Sequence, residues 1–115
     1  MGLVKFDRDE DHLVSGEYSK GRGPVLRSEN MEVTKIAFPK GQGAELHRHA
    51  EEQFMYVLSG RLLVTLEGEQ YEVGAGEATF NPSNSEHGVS ALEETVALSF
   101  KNHVAPGYEK TGELG

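Results

Sequence analysis

The chain contains no cysteine. Disulfides and thiolate metal sites are therefore excluded, and any metal it holds must be bound through nitrogen and oxygen. Basic residues are scarce: 11 Lys and Arg stand against 19 Asp and Glu, giving a formal charge of −8. A nucleic-acid backbone or an anionic membrane surface needs clustered Lys and Arg, so neither is expected as a partner. No stretch approaches the ~20 apolar residues of a membrane span. The start, MGLVKFDRDEDH, turns acidic after six residues and lacks the apolar run of a signal peptide. Phe6 also stands where a myristoylation signal has a small polar residue. The expected setting is soluble and cytoplasmic. Prolines number only four, and the 14 glycines are spread along the chain, which points to many tight turns instead of a linker.

What is present suits one small all-β domain. A length of 115 residues gives room for one core, and 37% hydrophobic content is adequate for a barrel whose alternate residues face inward. Residues 1–30 carry little periodicity, with an acidic run at Asp7, Asp9, Glu10 and Asp11 before the glycine-rich SGEYSKGRGP. They are expected to form an arm with at most one or two short strands, able to add a strand to a dimer partner. The barrel is expected over 31–105 and a tail over 106–115. From Met31, MEVTKIAF alternates as a half-buried strand does, and FPKGQGAE reads as a loop. QFMYVL and RLLVTL are joined at Ser59-Gly60, and RLLVTL and QYEV meet around the hairpin signal Glu67-Gly68. ATF is a short strand, NPSNSE a loop, and HGVSAL and TVALSF are expected to pair across Glu93-Glu94. No segment of twelve residues shows a 3.6 period. Short strands with frequent turns point to an antiparallel sandwich or barrel.

His47-Arg48-His49 is the most informative tripeptide. Strand residues two apart share a face, so both imidazoles can reach one point. Gln53 can add a side-chain oxygen if the chain bends between Ala50 and Glu52, and His87 follows a separate loop. Three imidazoles and one oxygen leave one or two positions open on an octahedral metal, as a substrate-binding site requires. A His-x-His pair alone is weak, since such histidines are often surface residues, and Glu51 and Glu52 can equally pair with Arg48 on an exposed loop. No Ser-His-Asp or cysteine nucleophile pattern is present.

The wider spacing is more specific. Gly41-x5-His47-x-His49-x3-Gln53-x6-Gly60 resembles the first motif of the cupin superfamily, with Gln where Glu is commoner. Gly76-x5-Pro82-x-Asn84-x2-His87 resembles the second, with Asn84 replacing a glycine and Ala91 replacing a terminal asparagine. The resemblance implies a double-stranded β-helix (jelly-roll) barrel, commonly a homodimer, with one divalent metal ion (Ni, Mn, Fe, Zn or Co) on His47, His49, Gln53 and His87. Four neutral ligands leave the ion its full charge, which favours a small anionic molecule as ligand. Parity with Gln53 puts Met55 and Val57 in the lumen, with Leu63 and Phe80 as further lining, and turns Tyr56 outward or against a partner sheet.

The Gln-bearing motif is similar to that of the small pectin-degradation cupins, which linearise unsaturated uronates. Those proteins carry an Asp on the last strand and an Arg after it; Ala97-Leu98-Ser99-Phe100-Lys101 has neither. Lys101 and His103 remain as candidate catalytic or anion-contacting groups. Three functions follow as expectations. One is a metal-dependent enzyme acting on a small carboxylate or carbonyl compound by isomerisation, ring opening or lyase chemistry. The second is a dioxygenase using Fe, Ni or Cu, and the third a non-catalytic cupin that binds a small anion.

Overall fold

The computed structural model describes residue 3 and residues 21–103. The strands are β1 (Val25–Arg27), β2 (Met31–Phe38), β3 (Gly43–His47), β4 (Gln53–Ser59), β5 (Arg61–Leu66), β6 (Glu69–Gly74), β7 (Ala78–Asn81), β8 (His87–Ala91) and β9 (Thr95–Asn102). Among the described residues no helix is long and apolar enough to cross a membrane. Two antiparallel sheets, β1-β2-β9-β4-β7 and β3-β8-β5-β6, face each other as a jelly-roll barrel. Within residues 21–30, β1 pairs with β2 of its own chain and Arg22 bridges Ala37. The rest of the expected arm, and the tail, lie outside the described residues.

Alternation decides which side chains enter the barrel. In β2, Glu32, Thr34, Ile36 and Phe38 are buried while Met31, Val33, Lys35 and Ala37 point away. The inner face of the five-stranded sheet is graded along its strands. Cα partners Ile36, Ala97 and Val57 form an apolar layer. The next layer, Thr34, Ser99, Met55 and Thr79, is mostly hydroxylated. The third, Glu32, Lys101, Gln53 and Asn81, is wholly polar. Opposite the apolar layer, Leu62 pairs with Val73 and Ala91, and Val57, Leu62 and Val64 are fully buried. Each such side chain contributes about 1.5–3 kcal/mol of burial, so this end holds the barrel closed. The polar end lies where His47 pairs with His87.

Turn chemistry places the corners. Glu67 and Gly68 have φ of 48° and 84°, both positive as a two-residue hairpin requires, and they join β5 to β6 as expected. Gly60 has φ 93° and sits at a corner where the chain leaves one sheet for the other. A Cβ there would stand 2.3 Å from the Glu94 carbonyl oxygen.

Two expectations are corrected. HGVSAL and TVALSF do not pair with each other: β8 lies between β3 and β5, and β9 between β2 and β4. Ala91 and Ala97 are both buried against the shared core from opposite sheets. Alternation looks the same whether a turn closes a hairpin or carries the chain across a barrel. The loop read from FPKGQGAE is also shorter than expected, because β3 begins at Gly43.

Candidate metal centre

His47 closes β3 and His87 opens β8, and the two are Cα partners. His49 lies beyond the end of β3, so loop geometry, not strand alternation, brings it in. That loop is fastened to the one before β8. Asn84 N–H donates to the His49 carbonyl (2.8 Å), Ser83 Oγ to the Ala50 carbonyl (2.6 Å), and Arg48 Nη1 to the Asn84 carbonyl (2.8 Å). Arg48 thus bridges loops. Asn84 has φ 62°, a left-handed conformation that asparagine tolerates and glycine adopts freely, which explains how it serves where the motif has glycine.

The three rings converge. Centroids are 5.4 Å apart for His47–His49, 4.5 Å for His47–His87 and 4.7 Å for His49–His87. One nitrogen from each lies within 4.8 Å of the others. Each Nδ1 is tied to a main-chain carbonyl: Glu45 for His47 (2.6 Å), Glu51 for His49 (2.9 Å) and Ser85 for His87 (2.9 Å). A carbonyl only accepts, so Nδ1 carries the proton and Nε2 presents a lone pair. Among the described residues, Nε2 of His49 and of His87 is buried without a hydrogen-bond partner. An orphaned buried acceptor costs about 1–3 kcal/mol, and a cation bound there removes that cost. The residues present fit a metal.

The rings are also in the protonation state a ligand needs. Burial is the largest cause in every case. It lowers His87 to about 3, with help from His47 and His49, and His49 to about 4, with help from Lys101. His47 is lowered too, by burial and Lys101, against the pull of its bond to Glu45. All three imidazoles are therefore neutral near pH 7.

Gln53 faces the lumen at the start of β4 while Glu52 is exposed. Its Nε2 donates to Ser99 Oγ (2.7 Å), and its Oε1 accepts from Asn81 Nδ2 (3.0 Å). Anchoring the nitrogen on Ser99 turns the oxygen away from β9 and leaves it one further lone pair. Lys101 is the Cα partner of both Gln53 and Glu32, and its charge depresses all three histidines. Glu32 is held by Arg27 Nε at 2.7 Å. On the other side, the buried Glu51 carboxylate stands 3.6 Å from His49 Nδ1, whose proton goes to the main chain instead.

Other expected lining residues fare differently. Met55 and Val57 point inward as part of the packed core. Phe80 is 38% exposed and stacks on Phe54 at 4.7 Å, and Leu63 shares the outer face with its partners Glu72 and Ser90. Both are corrections: apolar character suggested the inside, but register gives the inward places to Thr79 and Asn81 in β7 and to Leu62 and Val64 in β5. His103 is not in the ring cluster. Its N–H donates to the Asn30 carbonyl and its Nε2 bonds the Met31 carbonyl at 3.2 Å. Residue type alone gave no reason to single out Ser99, Asn81 or Glu32. The period-2 pattern of ATFN, set against QFMYVL, is the one signal that pairs Asn81 with Gln53.

Comparison with known proteins agrees with this geometry. The profile described as the cupin domain matches residues 34–100. The pectin degradation protein KdgF of Dickeya dadantii is 34% identical over 75 residues, covering 64% of this chain and 68% of that one. Dimethylsulfoniopropionate lyase DddW of Ruegeria pomeroyi is 33% identical over 63 residues, covering 55% of this chain and 41% of the lyase, so the match spans under half of that protein. The solved structure of KdgF from Halomonas sp. superposes with a TM-score of 0.76 at 21% identity, over 90% of this chain and 94% of that one. A histidine cluster inside a two-sheet barrel, two motifs in order and these matches lead to one conclusion: the chain belongs to the cupin family.

Proposed function

We propose that this cupin binds one divalent metal ion through His47, His49, His87 and Gln53. With Lys101, it uses that ion to hold a small carboxylate or carbonyl compound for isomerase- or lyase-type chemistry, with a sugar acid as the favoured substrate class. One observation carries the reading: two buried imidazole Nε2 atoms lack hydrogen-bond partners among the described residues, beside a third imidazole whose ligand nitrogen lies within 4.8 Å. A bound divalent ion would supply Lewis-acid polarisation of a substrate oxygen. The chain's own groups would do the rest. The Nδ1–carbonyl tethers hold the rings in register. Ser99 and Asn81 set the orientation of Gln53, whose neutrality leaves the ion's charge to the substrate. Lys101 offers a fixed cation to a carboxylate, and Glu32 and Lys101 are the charged side chains of the polar layer able to accept or give a proton. The names of the two matched relatives, a pectin-degradation protein and a lyase, support chemistry of this class.

The test begins with protein purified without added metal. Elemental analysis should find one equivalent of a divalent metal, and turnover of an unsaturated uronate should depend on it. Metal-free protein with no affinity for any of the five candidate ions would overturn the site. Stoichiometric iron or copper with oxygen uptake would replace the reading with a dioxygenase. Tight anion binding without turnover would replace it with a binding protein.

A further inference from the structure

Two buried oxygens of the polar layer lack a hydrogen-bond partner among the described residues: Glu32 Oε2 and Asn81 Oδ1. They stand at opposite ends of that layer, which runs Glu32, Lys101, Gln53 and Asn81 across β2, β9, β4 and β7. Asn81 commits its Nδ2 to Gln53 at 3.0 Å, which accounts for it as a positioning group of the metal site. Glu32 has no such use. Its side chain is 3% exposed and belongs to the buried row of β2, with Thr34, Ile36 and Phe38. Arg27 Nε, on the neighbouring strand β1, donates to Oε1 at 2.7 Å, which holds one oxygen and leaves Oε2 without a donor. A carboxylate oxygen accepts and cannot donate, so what it lacks is an N–H or O–H. Arg27 already supplies the opposite charge, so a neutral hydroxyl meets that need without a second cation.

We propose that Glu32 is a specificity-determining residue. Its Oε2 accepts a hydrogen bond from a hydroxyl of the ligand, so that the lumen selects a hydroxylated ring acid over a plain carboxylate of the same size and charge. This role presupposes the carboxylate site of the proposed function and adds the group that reads the rest of the ligand. Lys101, between Glu32 and Gln53 in the layer, offers its charge to the carboxylate. Neighbouring strands lie about 4.8 Å apart, which puts the Glu32 backbone about 10 Å from that of Gln53. A six-membered ring bound on the Gln53 side covers part of that span, and the Glu32 side chain covers the rest. An analogue without hydroxyls leaves Oε2 buried and unpaired, and that is the condition under which a site discriminates strongly. A hydrogen bond to a charged acceptor corresponds to roughly ten- to a hundredfold in affinity. At the other end of the layer, Asn81 Oδ1 can accept from a second hydroxyl.

Calorimetric titration of the full chain, with its metal content measured, compares D-galacturonate with cyclohexanecarboxylate, a ring acid of the same charge without hydroxyls. The wild-type protein should bind galacturonate at least about tenfold more tightly. Glu32→Gln leaves Arg27 an amide oxygen and presents a donor where the acceptor stood. It should weaken galacturonate about tenfold or more, while cyclohexanecarboxylate binds as well or better because a negative charge has gone. Glu32→Asp keeps the charge but withdraws the oxygens by one methylene, and should weaken galacturonate alone. Metal content should match wild type in both variants. Equal binding of the two acids by wild type would overturn the proposal and spare the carboxylate site. Unchanged galacturonate affinity in Glu32→Gln would overturn it too, with an ordered water as the partner of Oε2. Parallel loss of both acids, or of metal, in both variants would leave Glu32 a structural role only. Binding of neither acid by wild type would sink the carboxylate site itself, and this role with it.

Discussion

Burial at His49 and His87 does two things at once: it strips water from Nε2 and makes the ring a poor base. Both favour a metal over a proton. His49→Ala removes one of three convergent nitrogens and should lower metal content to below about a tenth, measured by elemental analysis after gel filtration, because such sites are sensitive even to loss of an outer hydrogen bond. Retention of full metal would show that the other donors suffice without it. Gln53→Glu should hold metal as well or better while weakening anion binding in calorimetry, since the carboxylate cancels part of the ion's charge. Tighter anion binding would contradict the electrostatic argument. The cluster of His47, His49 and His87 was legible because two spaced motifs in order are far more specific than a His-x-His pair alone. Ser99 and Asn81 were not legible, because a serine and an asparagine acquire a role only once β9, β4 and β7 lie side by side.

Strands here are cheap to recognise and hard to connect. Alternation and the Glu67-Gly68 turn identified β2, β5 and β6 directly, but HGVSAL and TVALSF went to different sheets. Corners decide such assignments, and Gly60 is the clearest one. Gly60→Ala combines a φ of 93° with a Cβ 2.3 Å from the Glu94 carbonyl oxygen. It should lower unfolding stability by more than the ~1 kcal/mol of a simple positive-φ penalty. Gly41→Ala, with φ 85° but nothing within 4 Å of the added carbon, should cost about that penalty alone. Equal denaturation midpoints for the two variants would count against the close packing at the corner.

For the molecule as a whole, a depressed histidine pKa ties stability to pH. Below the ordinary imidazole value of 6.5 the unfolded chain takes up protons that folded His49 and His87 refuse until about 4 and about 3. The metal-free protein should therefore lose stability as pH falls from 6.5 towards 3 and show no such loss above 6.5. Urea unfolding at pH 7 and pH 5 tests this, and equal midpoints would argue that the rings are not buried as described. Metal removal by a chelator at pH 7 should lower the melting temperature, since an ion bound only to the folded state stabilises it.

The amino-acid sequence by itself determined the all-β character, the absence of thiolate ligands and the candidacy of His47, His49 and His87, because strand period, residue chemistry and motif spacing are local properties. Their convergence came from β3–β8 pairing and the loop that carries His49. Only the tertiary structure decided which strands share a sheet, that Phe80 and Leu63 face outward, and that Gln53 is oriented by Ser99 and Asn81. These depend on register between segments up to tens of residues apart, where each strand's two faces are equally available until its neighbours choose between them.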